Sequence, residues 1–246
     1  MLRFLFWNLN RKPLEKLVQQ IVAAHDIDIV VLAEMITLPI ETAAGLSWRA
    51  KLPAFHYFPS DFCEKVHIFG RFDPLLVKPV YDTGRMTVRH FALPRRESIT
   101  VAAVHLPSKI NLDEIDHSSL CGEVARDLSD QEDKVGHTRT ILLGDFNMNP
   151  FDDGVARSRG LNAVMTKAIA KRGSRVVDGK ARRFFYNPMW NHFGESGPNP
   201  PGTHYYKNSP HLWNMYDQVL VRPVLQDRFL EAELKVLTAI DWVASR

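Results

Sequence analysis

The apolar positions of the chain fall into two patterns, short continuous runs and runs with helical spacing. Continuous runs such as Ile29–Ala33 and Ile141–Leu143 are typical of strands that are covered on both faces. After Pro13, apolar residues recur every three to four positions, which predicts a helix from about Pro13 to Ala24. The two patterns together predict helices packed on a buried sheet.

Further apolar runs, separated by turn-forming residues, predict strands at Leu2–Trp7, Phe55–Phe58, Val66–Phe69, Leu75–Val80, Met86–Leu93 and Ser98–Val104. Two more helices are predicted, from about Leu112 to Lys134 and from about Leu161 to Lys171. The stretch from Asn187 to Pro210 is rich in Pro, Gly, Asn and His, which predicts a long surface loop. Strands and helices mixed throughout predict one α/β domain over residues 1–246. Its expected architecture is two packed mixed β-sheets flanked by helices, a four-layer α/β sandwich.

Polar side chains that can bind metals or handle protons stand at the ends of the predicted strands. They are Asn8, Glu34, His105, the pair Asp145 and Asn147, and Asp217. Any one of them is explained by an ordinary turn, since Gly, Asp and Asn are turn formers. Ligands and catalytic groups of layered α/β proteins gather at strand ends, so the repeated pattern predicts one shared site.

The most specific of these pieces is Gly144-Asp145-Phe146-Asn147. With Trp7-Asn8, Ala33-Glu34, Val104-His105-Leu106 and Trp213 through Asp217, it resembles the endonuclease/exonuclease/phosphatase superfamily. That superfamily includes pancreatic-type deoxyribonucleases, abasic-site endonucleases and inositol polyphosphate phosphatases. The matching pieces run from residue 2 to about residue 222. The resemblance implies the same two-sheet fold and phosphoester hydrolysis with Mg²⁺, or alternatively Mn²⁺.

Two residues are expected near the metal, Glu34 from its chemistry and its place in the series of strand ends, and Asn8 from the resemblance. Glu34 is expected to bind Mg²⁺, because a hard carboxylate suits an ion that prefers oxygen donors and keeps several waters. Asn8 is expected in the metal and phosphate neighbourhood, where its amide can donate to phosphate or accept from metal-bound water.

The remaining residues are expected to be catalytic. Asp145 would act as general base or position the attacking water, and Asn147 would orient that water or bind the phosphate. His105 would donate to a non-bridging phosphate oxygen as charge develops there. Asp217 would complete the phosphate cradle.

Asp217 also marks a departure from the family pattern. In the family this Asp pairs with a histidine from a Ser-Asp-His near the C-terminus, and no Ser-Asp-His occurs in this sequence. Asp241 is not followed by His and receives no role. Either the chain is shortened before its last motif and strand, or His192, His204 or His211 takes the missing place. A missing final strand would leave a sheet edge open, so dimerisation or strand exchange is a hypothesis.

Charge and aromatic residues bear on the substrate. The net charge of +3 permits a polyanionic partner without requiring one. A basic cluster could contact a phosphate backbone, or could be a solvated surface; it comprises Lys167, Lys171, Arg172, Arg175, Lys180, Arg182 and Arg183. Four aromatic residues could stack bases or simply pack: Trp190, Tyr205, Tyr206 and Trp213. Arg85 and Arg89 lie between the Glu34 and His105 motifs, and Arg85 is the candidate for gripping a phosphate.

Cysteine content and hydropathy indicate the compartment. Cys63 and Cys121 form neither a disulfide framework nor a zinc spacing, which fits a reducing environment. No apolar run is long enough to span a membrane, and Asn8, Asn10 and Arg11 interrupt the N-terminal one. A cytoplasmic location is therefore expected.

Three functional hypotheses remain open. The first is a Mg²⁺-dependent phosphodiesterase, above all a nuclease. The second is a phosphatase acting on a small or lipid phosphoester. The third is a catalytically silent relative that binds nucleic acid or a protein partner, which the absent Ser-Asp-His favours.

Overall fold

The structure is a computed structural model that describes residues 1–49, 54–109, 114–195 and 200–238. Its strands are β1 (Phe4–Asn8), β2 (Ile29–Ala33), β3 (His56–Phe58), β4 (Val66–Gly70), β5 (Val77–Asp82), β6 (Met86–Phe91), β7 (Ile99–His105), β8 (Thr140–Asp145), β9 (Ala163–Val164), β10 (Ser174–Val177), β11 (Lys180–Arg183), β12 (Phe185–Tyr186), β13 (His204–Tyr205), β14 (Trp213–Asn214) and β15 (Asp217–Val221). Its helices are α1 (Glu15–His25), α2 (Pro39–Arg49), α3 (Glu114–Val135), α4 (Asp153–Ala156) and α5 (Lys167–Ala170). Short 3₁₀ turns occupy Pro74–Leu76, Pro188–His192, Pro223–Arg228 and Glu231–Glu233.

Two mixed sheets form the centre of the molecule. The smaller sheet has the order β1-β2-β4-β3, with β1 and β2 parallel and the other pairs antiparallel. The larger sheet has the order β5-β6-β7-β8-β15-β12-β9, in which β7 and β8 are parallel and β15 is antiparallel to β8. The pairs β10–β11 and β13–β14 are separate hairpins.

The sheets pack face to face, and helices cover their outer faces. Within β8, Leu142 belongs to the apolar layer under α3, whereas Leu143 belongs to the layer between the sheets. Within β2, Val30 lies in the layer under α1 and α2, whereas Val31 faces the other sheet. Both faces of these strands are buried, which is why their sequences are continuously apolar. The predicted four-layer α/β sandwich is confirmed.

Several predicted elements differ from those observed. The helix predicted over Leu161–Lys171 is wrong, because Ala163–Val164 pairs as β9 with β12 and only Lys167–Ala170 is helical. Asn162 has a positive φ of 55°, which breaks the helical path just before β9. The strand predicted from Leu75 begins at Val77, after a 3₁₀ turn capped by the Asp73 side chain.

Two segments were predicted less completely. The predicted loop from Asn187 to Pro210 contains a 3₁₀ turn and β13, and its residues 196–199 lie outside the described residues. Helix α2 was not predicted. The helix predicted from Leu112 is observed from Glu114 to Val135, and residues 110–113 lie outside the description.

The end of the chain bears on the predicted open edge. Within the described ranges β1 pairs only with β2 and is therefore an edge strand of the smaller sheet. The sequence predicts that a final strand is missing near the end of the chain. Residues 239–246 of that region lie outside the described residues. Among the helices that are described, none has the length and apolar character needed to cross a bilayer.

Candidate active site

Four of the predicted residues meet where β1, β2, β7 and β8 end. Asn8 Nδ2 donates to Asp145 Oδ2 at 2.9 Å and to Glu34 Oε1 at 3.3 Å. His105 Nε2 lies 3.3 Å from Glu34 Oε1 and 3.9 Å from Asp145 Oδ2. Parallel pairing puts the carboxyl ends of β1 and β2 together, and those of β7 and β8 together. Packing of β1 against β8 then joins the two pairs in one site.

Asn147 supports this group from the loop after β8. Its backbone N–H donates to Asp145 Oδ1 at 2.8 Å, and its Nδ2 donates to the Leu106 carbonyl at 2.8 Å. One residue thereby fixes both the Asp145 carboxylate and the segment that follows His105.

Asn8 presents its amide nitrogen to the site. Its Oδ1 accepts the Asn10 backbone N–H at 2.8 Å, so the oxygen is turned away from the two carboxylates. This orientation makes Asn8 a donor that holds Glu34 and Asp145 in place. Direct metal ligation by Asn8 stays a prediction.

The backbone is strained at two of the site residues. Glu34 and Asn147 both have φ of 51°, in the left-handed region that costs a residue with a side chain about 1–2 kcal/mol. Asn tolerates this conformation better than Glu does. The Glu34 conformation is maintained by two backbone bonds, from Glu34 N to Lys65 O and from Arg11 N to Glu34 O. Strain of this kind clusters at functional sites.

Burial sets the electrostatics of the centre. Asp145 is 7% exposed, and burial raises its pKa against the hydrogen bonds from Asn8 and the Asn147 N–H, which lower it. Burial lowers the pKa of His105, and the neighbouring Asp145 and Glu34 carboxylates oppose that shift. An acid with a raised pKa is a better proton acceptor, as a general base requires.

Asp217 lies beside Asp145 in the register of β15 and β8. Its backbone N–H donates to Thr203 Oγ1 at 3.0 Å, and the Thr203 hydroxyl also bonds its carboxylate. Burial, and after it the Asp145 charge, raise the pKa of Asp217 well above its ordinary range. The sequence did not point to Thr203, because a lone threonine in an irregular loop carries no pattern.

The structure brings none of the three candidate histidines to Asp217. His204 stacks on Tyr216 with ring centroids 5.3 Å apart, and His211 contacts Phe151. Burial lowers the pKa of His192, and the negative charge of the nearby Glu231 opposes that shift. His105, in contrast, lies within 4.0 Å of the Glu34 and Asp145 carboxylates.

Three cations flank the centre. Arg11 Nε lies 3.8 Å from Glu34 Oε2. The carbonyl of Arg85 accepts the His105 N–H at 3.0 Å, and the carbonyl of Lys65 accepts the Glu34 N–H at 3.4 Å. The positive charges of Arg85 and Lys65 both lower the pKa of His105. Arg89, by contrast, is 1% exposed and bonds Asp82 through two nitrogens at 2.7 and 3.1 Å. The sequence did not single out Lys65.

The basic cluster lies elsewhere. Arg183 bonds Glu132, and Lys171 lies 3.0 Å from Asp227, in the turn that follows the far end of β15. Because β15 has 5 residues, its far end is roughly 13 Å from Asp217 at about 3.3 Å per residue. Arg183 and Lys171 are therefore neutralised by internal ion pairs, at the end of the larger sheet away from Asp217.

The aromatic candidates make contacts of their own. Tyr205 contacts Trp213 edge-on at 5.3 Å, and Trp190 contacts Phe151 at 6.1 Å. Tyr205 and Trp213 lie on β13 and β14, and Trp190 lies in the 3₁₀ turn Pro188–His192, so all three belong to the segment between β12 and β15.

The donor set of the centre fits Mg²⁺. Glu34, whose side chain is 26% exposed, offers carboxylate oxygens beside a second, buried carboxylate. In the described part of the chain, no three His, Cys, Asp or Glu side chains are grouped closely enough to enclose a metal. Mg²⁺ is commonly held by one or two carboxylates with several waters, so a single open carboxylate suits it.

Comparison with known proteins shows the family of the chain. The family model described as "Endonuclease/Exonuclease/phosphatase family" matches residues 5–232. The chain belongs to this family. Endonuclease/exonuclease/phosphatase family members are phosphoester hydrolases, and they generally depend on a divalent metal. A search of curated proteins finds no match to the chain.

Solved structures of the family share the fold at low sequence identity. The human Nocturnin catalytic domain with bound sulfate has a TM-score of 0.56 and 14% identity, over 90% of this chain and 82% of that one. A family protein from Bacteroides thetaiotaomicron has a TM-score of 0.54 and 16% identity, over 90% and 83%. A variant of the 3′ phosphatase NExo from Neisseria, bound to a product DNA hairpin, has a TM-score of 0.53 and 17% identity, over 96% and 90%.

Proposed function

We propose that this chain is a Mg²⁺-dependent phosphodiesterase that hydrolyses nucleic acid by in-line attack of water. One observation carries the proposal: Asn8, Glu34, His105 and Asp145 come from the ends of four strands in both sheets, yet Asn8 donates to both carboxylates and His105 Nε2 lies within 4.0 Å of them. Core packing alone does not explain why a buried carboxylate, a glutamate with positive φ and a histidine lie side by side. The endonuclease/exonuclease/phosphatase family supplies the reaction class.

Each residue has a role that follows from its contacts. Asp145 accepts the proton of the attacking water, since burial raises its pKa toward the working range of a general base. Asn147 fixes the Asp145 carboxylate through its N–H, and Asn8 fixes the same carboxylate from the other sheet. His105 donates from Nε2 to a non-bridging phosphate oxygen, and Arg85 beside it binds the phosphate.

Glu34 would hold the divalent ion. When bound, that ion neutralises phosphate charge and stabilises the leaving oxygen. Asp217 lies beside Asp145 and would bind substrate as a neutral carboxylic acid, because its pKa is raised.

A metal-dependent hydrolysis assay tests this proposal. Wild type and Asp145→Asn would be assayed on bis-nitrophenyl phosphate, single-stranded DNA and plasmid DNA, with Mg²⁺, Mn²⁺ or EDTA. We expect metal-dependent cleavage by wild type and a loss on the order of 10² to 10⁴ in the variant. Lys180→Ala, at an exposed lysine on β11, is the control for changes in surface charge. An Asp145→Asn protein as active as wild type would refute the assignment.

A phosphatase is the first alternative. The neighbour NExo is a 3′ phosphatase, and its overall fold matches that of this chain. Soluble phosphomonoesters and 3′-phosphorylated oligonucleotides in the same screen would identify such an activity.

A catalytically silent nucleic-acid-binding protein is the second alternative. It is favoured because, among the described residues, Asp217 has no histidine within 4.0 Å. Salt-sensitive DNA binding without turnover under every metal condition would identify it. A dimer through the β1 edge and a cytoplasmic location also remain proposals, which sedimentation and fractionation would test.

A further inference from the structure

Lys65 reaches the active site through the register of the smaller sheet. Strand β4 runs antiparallel to β2, and its first residue Val66 pairs with Ala33. The preceding residue, Lys65, therefore lies beside Glu34, and its carbonyl accepts the Glu34 N–H at 3.4 Å. A residue that the sequence places in an ordinary loop thus borders the proposed metal ligand.

Arg85 holds the corresponding place on the other sheet. It precedes β6, and its carbonyl accepts the N–H of His105 at 3.0 Å. The Glu34 and His105 side chains, 3.3 Å apart, are thus each flanked by a residue with a positive side chain. Lys65 is exposed and Arg85 is partly exposed.

Neither cation forms an ion pair within the part of the chain that the structure describes. In the described ranges, neither Lys65 nor Arg85 has a carboxylate within 4.0 Å, whereas Lys109, Arg89 and Arg222 each form such a pair. The site meanwhile gathers the carboxylates of Glu34 and Asp145, which repel an incoming anion. Two unpaired cations at the rim offset that repulsion where a phosphate must enter.

We infer that Lys65 is a substrate-binding residue, which donates from Nζ to a phosphate oxygen on the Glu34 side while Arg85 binds on the His105 side. This inference rests on the proposed function, because it takes the same site to receive a phosphate. It adds a ligand from a loop that carries no family motif. The Lys65 ammonium acts as a flexible point charge, whereas the Arg85 guanidinium can bind in a fixed two-pronged geometry.

Binding of inorganic phosphate tests the inference without requiring turnover. Titration calorimetry of wild type with phosphate, with and without Mg²⁺, would be compared with Lys65→Ala, Lys65→Arg and Lys180→Ala. We expect about tenfold or greater weakening in Lys65→Ala, as for loss of a charge-assisted hydrogen bond. Lys65→Arg should recover most of the affinity, and Lys180→Ala should bind as wild type does. Because Lys65 is exposed, thermal melting should show all variants folded.

A second measurement separates a phosphate contact from a structural effect. For a single-stranded oligonucleotide, the plot of log affinity against log salt concentration has a negative slope. The magnitude of that slope should decrease by about one in Lys65→Ala and remain unchanged in Lys65→Arg. Wild-type phosphate affinity in Lys65→Ala, an equal loss in Lys180→Ala, or no phosphate binding by wild type would each overturn the inference.

The outcomes also separate the inference from the proposed function. Lys65-dependent phosphate binding by a wild-type protein that cleaves nothing would refute the hydrolase and retain the Lys65 site. Hydrolysis by wild type that Lys65→Ala leaves unchanged in kcat/KM would retain the hydrolase and refute the Lys65 site.

Discussion

Asn8 and Asp145 are separated by 137 positions along the chain, yet Asn8 Nδ2 donates to Asp145 Oδ2 at 2.9 Å. The bond links β1 of the smaller sheet with β8 of the larger one. The relative position of the two sheets therefore determines the geometry of the proposed general base. Because the bond lowers the pKa of Asp145 while burial raises it, Asn8 also limits how far that pKa rises.

Replacing Asn8 should consequently change the pH dependence of hydrolysis. In Asn8→Ala the pKa of Asp145 should rise further, so the acidic limb of the kcat/KM profile should move to higher pH. We also expect kcat/KM at its optimum to fall by at least about tenfold, the effect of losing a hydrogen bond to a charged group. The exposed Asn208→Ala serves as control. An unshifted acidic limb in Asn8→Ala would contradict this coupling.

The cluster of polar side chains around Asp145 can be predicted from the sequence. The prediction requires only the order of the strands and the fact that their ends converge. Asn8, Glu34, His105 and Asp145 each end a strand or follow one directly, and apolar runs mark those strands in the sequence. Lys65 could not be predicted in this way, because its place beside Glu34 depends on the antiparallel register of β4 against β2.

The failed predictions have physical causes of the same kind. The run from Leu161 to Lys171 has helical composition, but pairing of Ala163–Val164 with β12 overrides that local preference. The strand that carries Arg89 is recognisable from the sequence, whereas the burial of Arg89 against Asp82 depends on a contact with β5. Local pattern thus predicted elements and strand ends, while long-range pairing decided the remaining contacts.

Gly144 should be intolerant of any side chain. Its φ is 151°, and a Cβ added there would lie 1.9 Å from the Val104 carbonyl oxygen on the parallel strand β7. Gly144→Ala would have to separate β7 from β8 directly beside Asp145. We expect a loss of about 3 kcal/mol or more in the free energy of unfolding, measured by urea denaturation. Gly84→Ala is the matched control, since nothing lies within 4 Å of its added Cβ. Equal stability of the two variants would show that the strands adjust freely.

The Glu132 carboxylate should be essential to the stability of the larger sheet around Arg222. Its Oε1 lies 2.7 Å from Arg222 Nε, its Oε2 lies 3.1 Å from Arg183 Nη1, and Glu132 and Arg222 are each 2% exposed. Removing the carboxylate leaves the Arg222 charge buried without a counter-charge. Glu132→Ala should therefore cost about 3–5 kcal/mol of unfolding free energy. Glu123→Ala, an exposed glutamate on the same helix, should stay within about 0.5 kcal/mol. A small effect at Glu132 would mean that water reaches Arg222.

His90 and His137 should make the protein sensitive to acid. Their ring centroids are 5.2 Å apart, and burial, followed by nearby cations, lowers the pKa of both below the ordinary 6.5. The unfolded chain then binds more protons than the folded one as pH falls below about 6.5, so stability is lost from there downward, until both states are protonated. Denaturation at pH 7.5, 6.0 and 5.0 should show a smaller acid-induced loss in His137→Gln than in wild type. The exposed His25→Gln is the control, and equal losses in all three proteins would exclude the pair as a cause.

Cys121 should not react with thiol reagents while the protein is folded. Its side chain is fully buried in the layer under α3, and burial raises the pKa of its thiol to about 12. The reactive thiolate is therefore almost absent at neutral pH, and reagent cannot reach the sulfur without opening of the core. In a Cys63→Ser background, which removes the other thiol, labelling of Cys121 by a maleimide should follow global unfolding. Its rate should rise with urea in parallel with loss of the near-UV circular dichroism signal. Rapid labelling in native buffer would mean that α3 separates from the larger sheet far more often than its packing allows.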